Sequence, residues 1–159
     1  MRDSSAMPDL DRTDRRILRC LQRDGRLTNA ELARKVNVSA ATCHRRTQRL
    51  FDEGYMRSVR AEVDPGRVDR GALVVVGVVL DRSTRESFGA FEAAITKLPS
   101  ILDCHLVAGD FDYFLKIRVR DIADFNRLHG EQLLALPGVR QTRTFFVMKE
   151  VIDNAPLEF

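Results

Sequence analysis

No apolar run in this chain of 159 residues approaches the roughly 20 residues that a membrane-spanning helix requires. A helical membrane protein is thereby excluded. The stretch from Met1 to Pro8 is short and polar, without the apolar core of a secretory signal, so the cytoplasm is the expected location. Cysteine is scarce: Cys20, Cys43 and Cys104 are odd in number and far apart. They lack the close paired spacing of a zinc site or redox motif and are expected as buried thiols. The histidines, His44, His105 and His129, form no short ligand pair, and His105 alternates away from Cys104 along an expected strand, so no metal is expected. No nucleophile with an oriented base and no glycine-rich phosphate loop is present. Neither a catalytic residue nor a cofactor is expected, and the chain does not read as an enzyme.

What the sequence does have is charge, unevenly placed. Residues 1–60 hold 14 Lys or Arg against 8 Asp or Glu, net +6, whereas residues 61–159 hold 12 against 15, net −3. A polyanion partner is expected for the first third, a solvated basic surface being the plainer explanation of the same excess.

The basic third reads as three helices. Asp11 is a plausible N-cap for a helix to Asp24, with Leu10, Ile17, Leu18 and Leu21 on one side and Gly25 as its stop. Thr28 and Glu31 stand at capping-box spacing before a second, short helix that turns Leu32, Ala33 and Val36 inward and ends near Asn37. Ser39 caps a third helix at once, and Gly54 ends it in a left-handed conformation. Helices joined by so short a turn cross steeply, the helix-turn-helix geometry. At about 100° per residue, Cys43, Thr47 and Leu50 face inward, while Ala41, Thr42, Arg45, Gln48 and Arg49 face outward with His44 on the flank. Small residues at the helix entry allow close approach to a groove. Arg and Gln offer donors to base edges, and the helix N-terminus at Ser39 with its arginines suits phosphates. Tyr55 to Asp64 is strand-like, suited to a wing and tether.

After the break at Pro65-Gly66, Ala72 to Leu80 is a nearly unbroken valine run typical of a buried strand. Phe88, Phe91, Ile95 and Leu98 then repeat at helical steps up to Pro99. Ile101 to Ala108 and Tyr113 to Arg120 are two strands around a glycine turn, and in the second Tyr113, Leu115, Ile117 and Val119, on a buried face, alternate with Phe114, Lys116, Arg118 and Arg120 on a mostly polar one. Asp121 caps a helix whose stripe holds Ile122, Phe125, His129, Leu133 and Leu136, with His129 read as a satisfied core histidine. Pro137-Gly138 ends it before a last strand from Val139 to Met148. The order βαββαβ is the ferredoxin-like arrangement, with both helices on one sheet face, and a homodimer packing sheet to sheet is the natural cover for the other. The fold class is therefore α+β: a winged helix-turn-helix domain in residues 1–60, a linker in 61–71, and a ferredoxin-like domain in 72–159.

One turn carries chemistry of its own. Gly109-Asp110-Phe111-Asp112-Tyr113 sets two carboxylates beside an exposed aromatic. Carboxylates attract an ammonium, and the backbone N–H groups of a glycine turn hold a carboxylate, so the loop suits a zwitterionic amino acid. Turn chemistry alone also accounts for Gly and Asp there, and by itself favours a plain hairpin.

Over nearly its whole length the chain resembles the leucine-responsive and asparagine-responsive regulators, the Lrp/AsnC family. The motifs are Leu10-Asp11-Arg12-Thr13-Asp14 with Ile17-Leu18, Leu21-Gln22-Arg23-Asp24-Gly25-Arg26, and Val38-Ser39 to Arg49-Leu50. More distinctive are Asp103-Cys104-His105-Leu106-Val107-Ala108-Gly109-Asp110-Phe111-Asp112-Tyr113 and Leu136-Pro137-Gly138-Val139 with Thr142-Arg143-Thr144. The resemblance implies a transcription regulator that binds double-stranded DNA and senses a small amino acid, leucine or another branched-chain residue first. It also implies homodimers assembling into octamers or related rings. It nominates Val107, Ala108, Gly109, Asp110, Phe111, Asp112 and Tyr113 with Thr142 and Thr144 as the effector site, in place of a plain hairpin. Ala40 and Thr42 stand where relatives often carry prolines. Other readings of the same residues are a free-standing amino-acid-binding regulatory protein, an architectural DNA binder of low specificity, and an acid–base or metal role for Asp110 and Asp112 with His105.

Overall fold

The computed structural model describes residues 10–159, which fall into two compact units. One runs to Glu62 and also takes in Ile152–Phe159; the other is Val63–Val151.

The first unit contains α1 (Arg12–Arg23), α2 (Asn29–Val36) and α3 (Ala40–Asp52). Each opens on the residue nominated for it. Asp11 accepts from the Asp14 N–H in a capping box, Thr28 does the same with Glu31, and Ser39 accepts from the Thr42 N–H. These contacts satisfy backbone donors that a helix start leaves unpaired. Asn37, at φ 61°, turns the chain left-handed and stops α2 just ahead of the Ser39 cap, so α3 departs at an angle. Gly54, at φ 78°, ends α3 as expected. Ile17, Leu18, Leu32, Ala33, Val36, Cys43 and Leu50 form the core, with Leu10, Leu21, Tyr55 and Met56 packed against it.

Two expectations fail in this unit. Tyr55 to Asp64 is in no strand: the sheet of the described residues pairs only strands of the other unit, so the segment has no ladder partner and forms no wing. Val59 instead packs on Gly25, where a Cβ would stand 2.8 Å from the Val59 Cγ1. The second difference concerns Ile152–Phe159, expected with the ferredoxin-like domain, which groups with the helices. The Gln22 amide accepts from the Leu157 N–H at 2.8 Å and donates to its carbonyl at 3.2 Å, and the Arg19 guanidinium lies 5.6 Å from the Phe159 ring centre. A side-chain amide carries the same donor and acceptor as a peptide, so it can bond a passing chain in both directions.

In the second unit, β1 (Ala72–Leu80), α4 (Arg85–Ile95), β2 (Ile101–Leu106), β3 (Tyr113–Val119), α5 (Ile122–Leu128) and β4 (Val139–Phe146) follow the order βαββαβ. The sheet order is β2-β3-β1-β4, every pair antiparallel. Val74, Val76, Val78 and Leu80 of β1 and Tyr113, Leu115, Ile117 and Val119 of β3 pack with Phe91, Ile95, Phe125, Leu128, Leu133 and Leu136. Both helices therefore lie on one face. Ile122 is 61% exposed, outside the expected stripe, which begins a turn later at Phe125. After Leu128 the helix widens into a π turn, His129–Leu133.

Candidate nucleic-acid interface and ligand site

Helix α3 presents Ala41, His44, Arg45 and Gln48 to solvent, with Ser39 exposed at its start and Thr42 half-buried. The Ser39 hydroxyl donates to the Thr42 hydroxyl at 2.9 Å, and the Gln48 amide donates to Asp52 at 2.9 Å. Cys43 and Leu50 are buried on the opposite side, as expected, and Thr47 is half-buried. Desolvation pushes the Cys43 thiol up, so it stays protonated.

Arg49 departs from the expected outward set. Its Nη2 donates to the Asp14 Oδ2 at 2.6 Å, and the Arg46 Nη1 donates to the Asp14 Oδ1 at 2.9 Å and to Asp11 at 2.6 Å. Asp14 is the buried charged residue of the described chain, 1% exposed. Its bonds to Asp14, and for Arg46 first to Asp11, push both guanidiniums up, while the Asp14 N–H and then Arg46 hold Asp11 below the usual carboxylate range. Arg16 is likewise engaged, donating to the Lys35 carbonyl at 2.6 Å at the end of α2. Among the described residues no hydrogen bond or ion pair engages the side chains of Arg45 and His44, which are exposed on α3. The network was readable in one respect: Asp14 stands three and four residues before Ile17 and Leu18, a carboxylate on an apolar stripe.

In the second unit the glycine turn is pinned to the end of β1. The Val107 N–H donates to the Asp112 carbonyl and the Asp112 N–H to the Val78 carbonyl, each at 2.9 Å. The Asp112 carboxylate accepts from the Leu80 N–H at 2.7 Å and lies 3.5 Å from the Ser83 hydroxyl. Asp112 therefore holds the turn, and Asp110 is the exposed carboxylate. Gly109 has φ 142°, which side chains resist. Tyr113, which alternates with Leu115, Ile117 and Val119 on the buried face of β3 as expected, is 1% exposed. It begins β3 on the helix face, where its ring meets Phe88 and Phe91 and its hydroxyl donates to Glu92 at 2.8 Å. Burial first, then Glu92, pushes that hydroxyl strongly up.

The nominated residues divide between the two sheet faces. Phe111 lies on the open face: a Cβ on Gly77 would stand 2.6 Å from its ring, Phe114 is 5.1 Å away, and the Arg143 guanidinium is 5.8 Å from its centre. Thr142 and Thr144 pair with Val78 and Val76 on the helix face, and His129 bonds the Thr142 hydroxyl at 2.8 Å, satisfying the histidine as expected. Arg143 was passed over; its place between two threonines of β4 puts it on the Phe111 face. Val107 is half-buried, and Ala108 and Gly109 are exposed.

Residues 10–50 match the AsnC-type helix-turn-helix domain, and residues 73–157 match the Lrp/AsnC ligand binding domain. The chain belongs to the Lrp/AsnC family. It is 47% identical to the leucine-responsive regulatory protein of Salmonella typhimurium and 46% identical to that of Escherichia coli. Each match covers 95% of this chain and 93% of the relative. A transcriptional regulator of Neisseria meningitidis, solved in complex with L-methionine, superposes with a TM-score of 0.89 at 34% identity, covering 94% of this chain and 97% of that one. An AsnC family regulator of Agrobacterium tumefaciens gives 0.88 at 30% identity over 93% and 96%. This Lrp/AsnC member is a DNA-binding transcription regulator with a ligand-binding domain, not an enzyme. Among the described residues no group of His, Cys, Asp and Glu is placed to hold a metal, and no helix is long and apolar enough to cross a membrane.

Proposed function

We propose that this regulator reads specific DNA sites with Ser39, Ala41, Thr42, His44, Arg45 and Gln48, and that Arg49, nominated with them, serves the fold instead. The observation that carries this is Arg45, exposed on α3 and engaged by no side chain among the described residues, beside two arginines committed to Asp14. A guanidinium free to turn suits the paired acceptors of a guanine edge. Arg45→Ala is expected to cost about 1–3 kcal/mol at one base position of the site, read by competition against base-substituted duplexes. Uniform weakening at every sequence would make Arg45 a phosphate contact.

The effector we assign is a free amino acid, leucine first and methionine second, and the genes controlled those of amino-acid metabolism. The family relationship and the methionine-bound structural relative support it. Its site is the pinned turn from Val107 to Tyr113 with Thr142 and Thr144. Asp110 is the group for the ammonium and the Gly109 backbone the group for the carboxylate; Tyr113 contributes through packing. The domain limits 1–60, 61–71 and 72–159 express this division, with the final residues returning to the helical unit. Homodimers assembling into octamers are supported by the open sheet face, where Leu73, Val75, Val79, Phe114 and Phe145 form an apolar surface, Phe145 being 48% exposed. Cytoplasmic location follows from the DNA partner. Calorimetry of the full chain against the twenty amino acids tests the effector: binding by one or a few, lost in Gly109→Val, supports it, and binding by none refutes it.

A further inference from the structure

We propose that Asp14 sets the specificity of the DNA interface: its buried carboxylate holds Arg46 and Arg49 against α1 and keeps two recognition-helix cations off the phosphate backbone. The inference rests on the reading of α3 as the helix that enters the groove. At about 100° per residue, Arg46 and Arg49 stand on the flank of α3 that also carries Thr42, next to Arg45. Their side chains keep 27% and 39% of their exposure, so their stems reach the surface and only their charged ends are drawn inward. Arg46 is held through one terminal nitrogen on one Asp14 oxygen and on Asp11, and Arg49 through one terminal nitrogen on the other Asp14 oxygen, with Glu53 3.9 Å from its Nε. Among the described residues, Asp14 is therefore the one carboxylate that restrains both guanidiniums.

Stability alone does not call for charge at this position. A carboxylate on an apolar stripe is costly to desolvate, and a buried ion pair is often matched or bettered by apolar residues of the same volume. Specificity supplies the reason. Cations on phosphates tighten binding to every sequence alike, each adding about 0.9 to the slope of log affinity against log salt. Withholding two of them lowers binding to all DNA and leaves the contribution of Arg45 to base edges intact.

The test is a salt titration of the full chain on an operator duplex and a random duplex. Asp14→Asn keeps the shape and removes the charge. Its slope on random DNA is expected to steepen by about 1 to 2, and its specific-to-random affinity ratio to fall by about tenfold or more. Asp24→Asn adds the same charge at an exposed site and is expected to leave the slope unchanged. Arg49→Gln is expected to leave it unchanged, and Arg45→Gln to leave it nearly unchanged while lowering the specific-to-random affinity ratio by about tenfold. A slope in Asp14→Asn no steeper than in Asp24→Asn overturns the proposal. So does a loss of about 0.9 in Arg49→Gln, which decides alone if circular dichroism shows Asp14→Asn unfolded. An unchanged specific-to-random ratio in Arg45→Gln would instead overturn the reading of α3 itself, and the proposal with it.

Discussion

The two units of this chain are stabilised by different means. Among the described residues, the sheet unit buries fourteen in one apolar layer, whereas the helical unit buries seven and adds a carboxylate gripped by two arginines. The larger layer can carry an irregular edge, such as the turn at Gly109, at little risk to the fold. The smaller core leans on its helix caps, and its ion pairs fix which cations of α3 remain for DNA. Where the core is small, stability and function draw on the same charged residues.

The comparison can be broken most directly at the cores. Phe91→Ala is expected to cost about 3–5 kcal/mol and Leu50→Ala about 2–5 kcal/mol. Scanning calorimetry should show each substitution lowering a different transition. One shared transition displaced equally by both would mean that the units do not fold separately.

A smaller effect belongs to Gly77, where an added methyl meets the Phe111 ring at 2.6 Å. Gly77→Ala is expected to destabilise the sheet unit by about 1–3 kcal/mol. Pairing it with Phe111→Ala should restore most of the loss, as thermal melts of the double variant would show. No recovery would mean that Phe111 is not the obstacle.

Opposite pH responses would sharpen the contrast. The folded pKa of Asp11 is lowered, so its contribution to the helical unit is complete above the ordinary carboxylate value of about 3.9 and is lost as pH falls through the lower folded value. The folded pKa of Tyr113 is raised, so its contribution to the sheet unit is complete below about 10 and is lost as pH rises beyond it. Melts from pH 2 to 11 should show the helical transition falling at the acid end and the sheet transition at the alkaline end. The smallest effect is that of Gln22→Ala, about 1 kcal/mol on the helical transition. Limited proteolysis should then cut within Ile152–Phe159 sooner, with the sheet transition unmoved.

What the sequence disclosed follows from the same contrast. Periodicity reports apolar burial, so the valine run of β1, the phenylalanines of α4 and the alternation of β3 led to the right strand order and layer. Local hydrogen-bonding chemistry reports helix starts, so Asp11, Thr28, Ser39 and Asp121 were readable as caps. Long-range polar pairing has no period. The grip of Asp14 on Arg49, the clamp of Gln22 on Leu157 and the Asp112 bond to the Leu80 N–H join residues far apart in the chain. Arg49 was therefore counted with the outward face and Asp112 with the free carboxylates. Tyr113 was legible for the opposite reason: it closes a polar turn, yet its period of two with Leu115, Ile117 and Val119 placed it on the buried face, where it pairs with Val78.

The division of labour between the units is the central claim, and paired titrations of Arg45→Ala and Gly109→Val test it most directly. DNA affinity is measured with and without the amino acid that calorimetry identifies, and amino-acid binding is measured on the same samples. Arg45→Ala is expected to lose DNA discrimination while binding the amino acid like the wild type. Gly109→Val is expected to bind DNA normally without effector and to ignore the amino acid. A variant that loses both activities while its fold is intact, or an Arg45→Ala protein with unchanged DNA selectivity, would contradict the account.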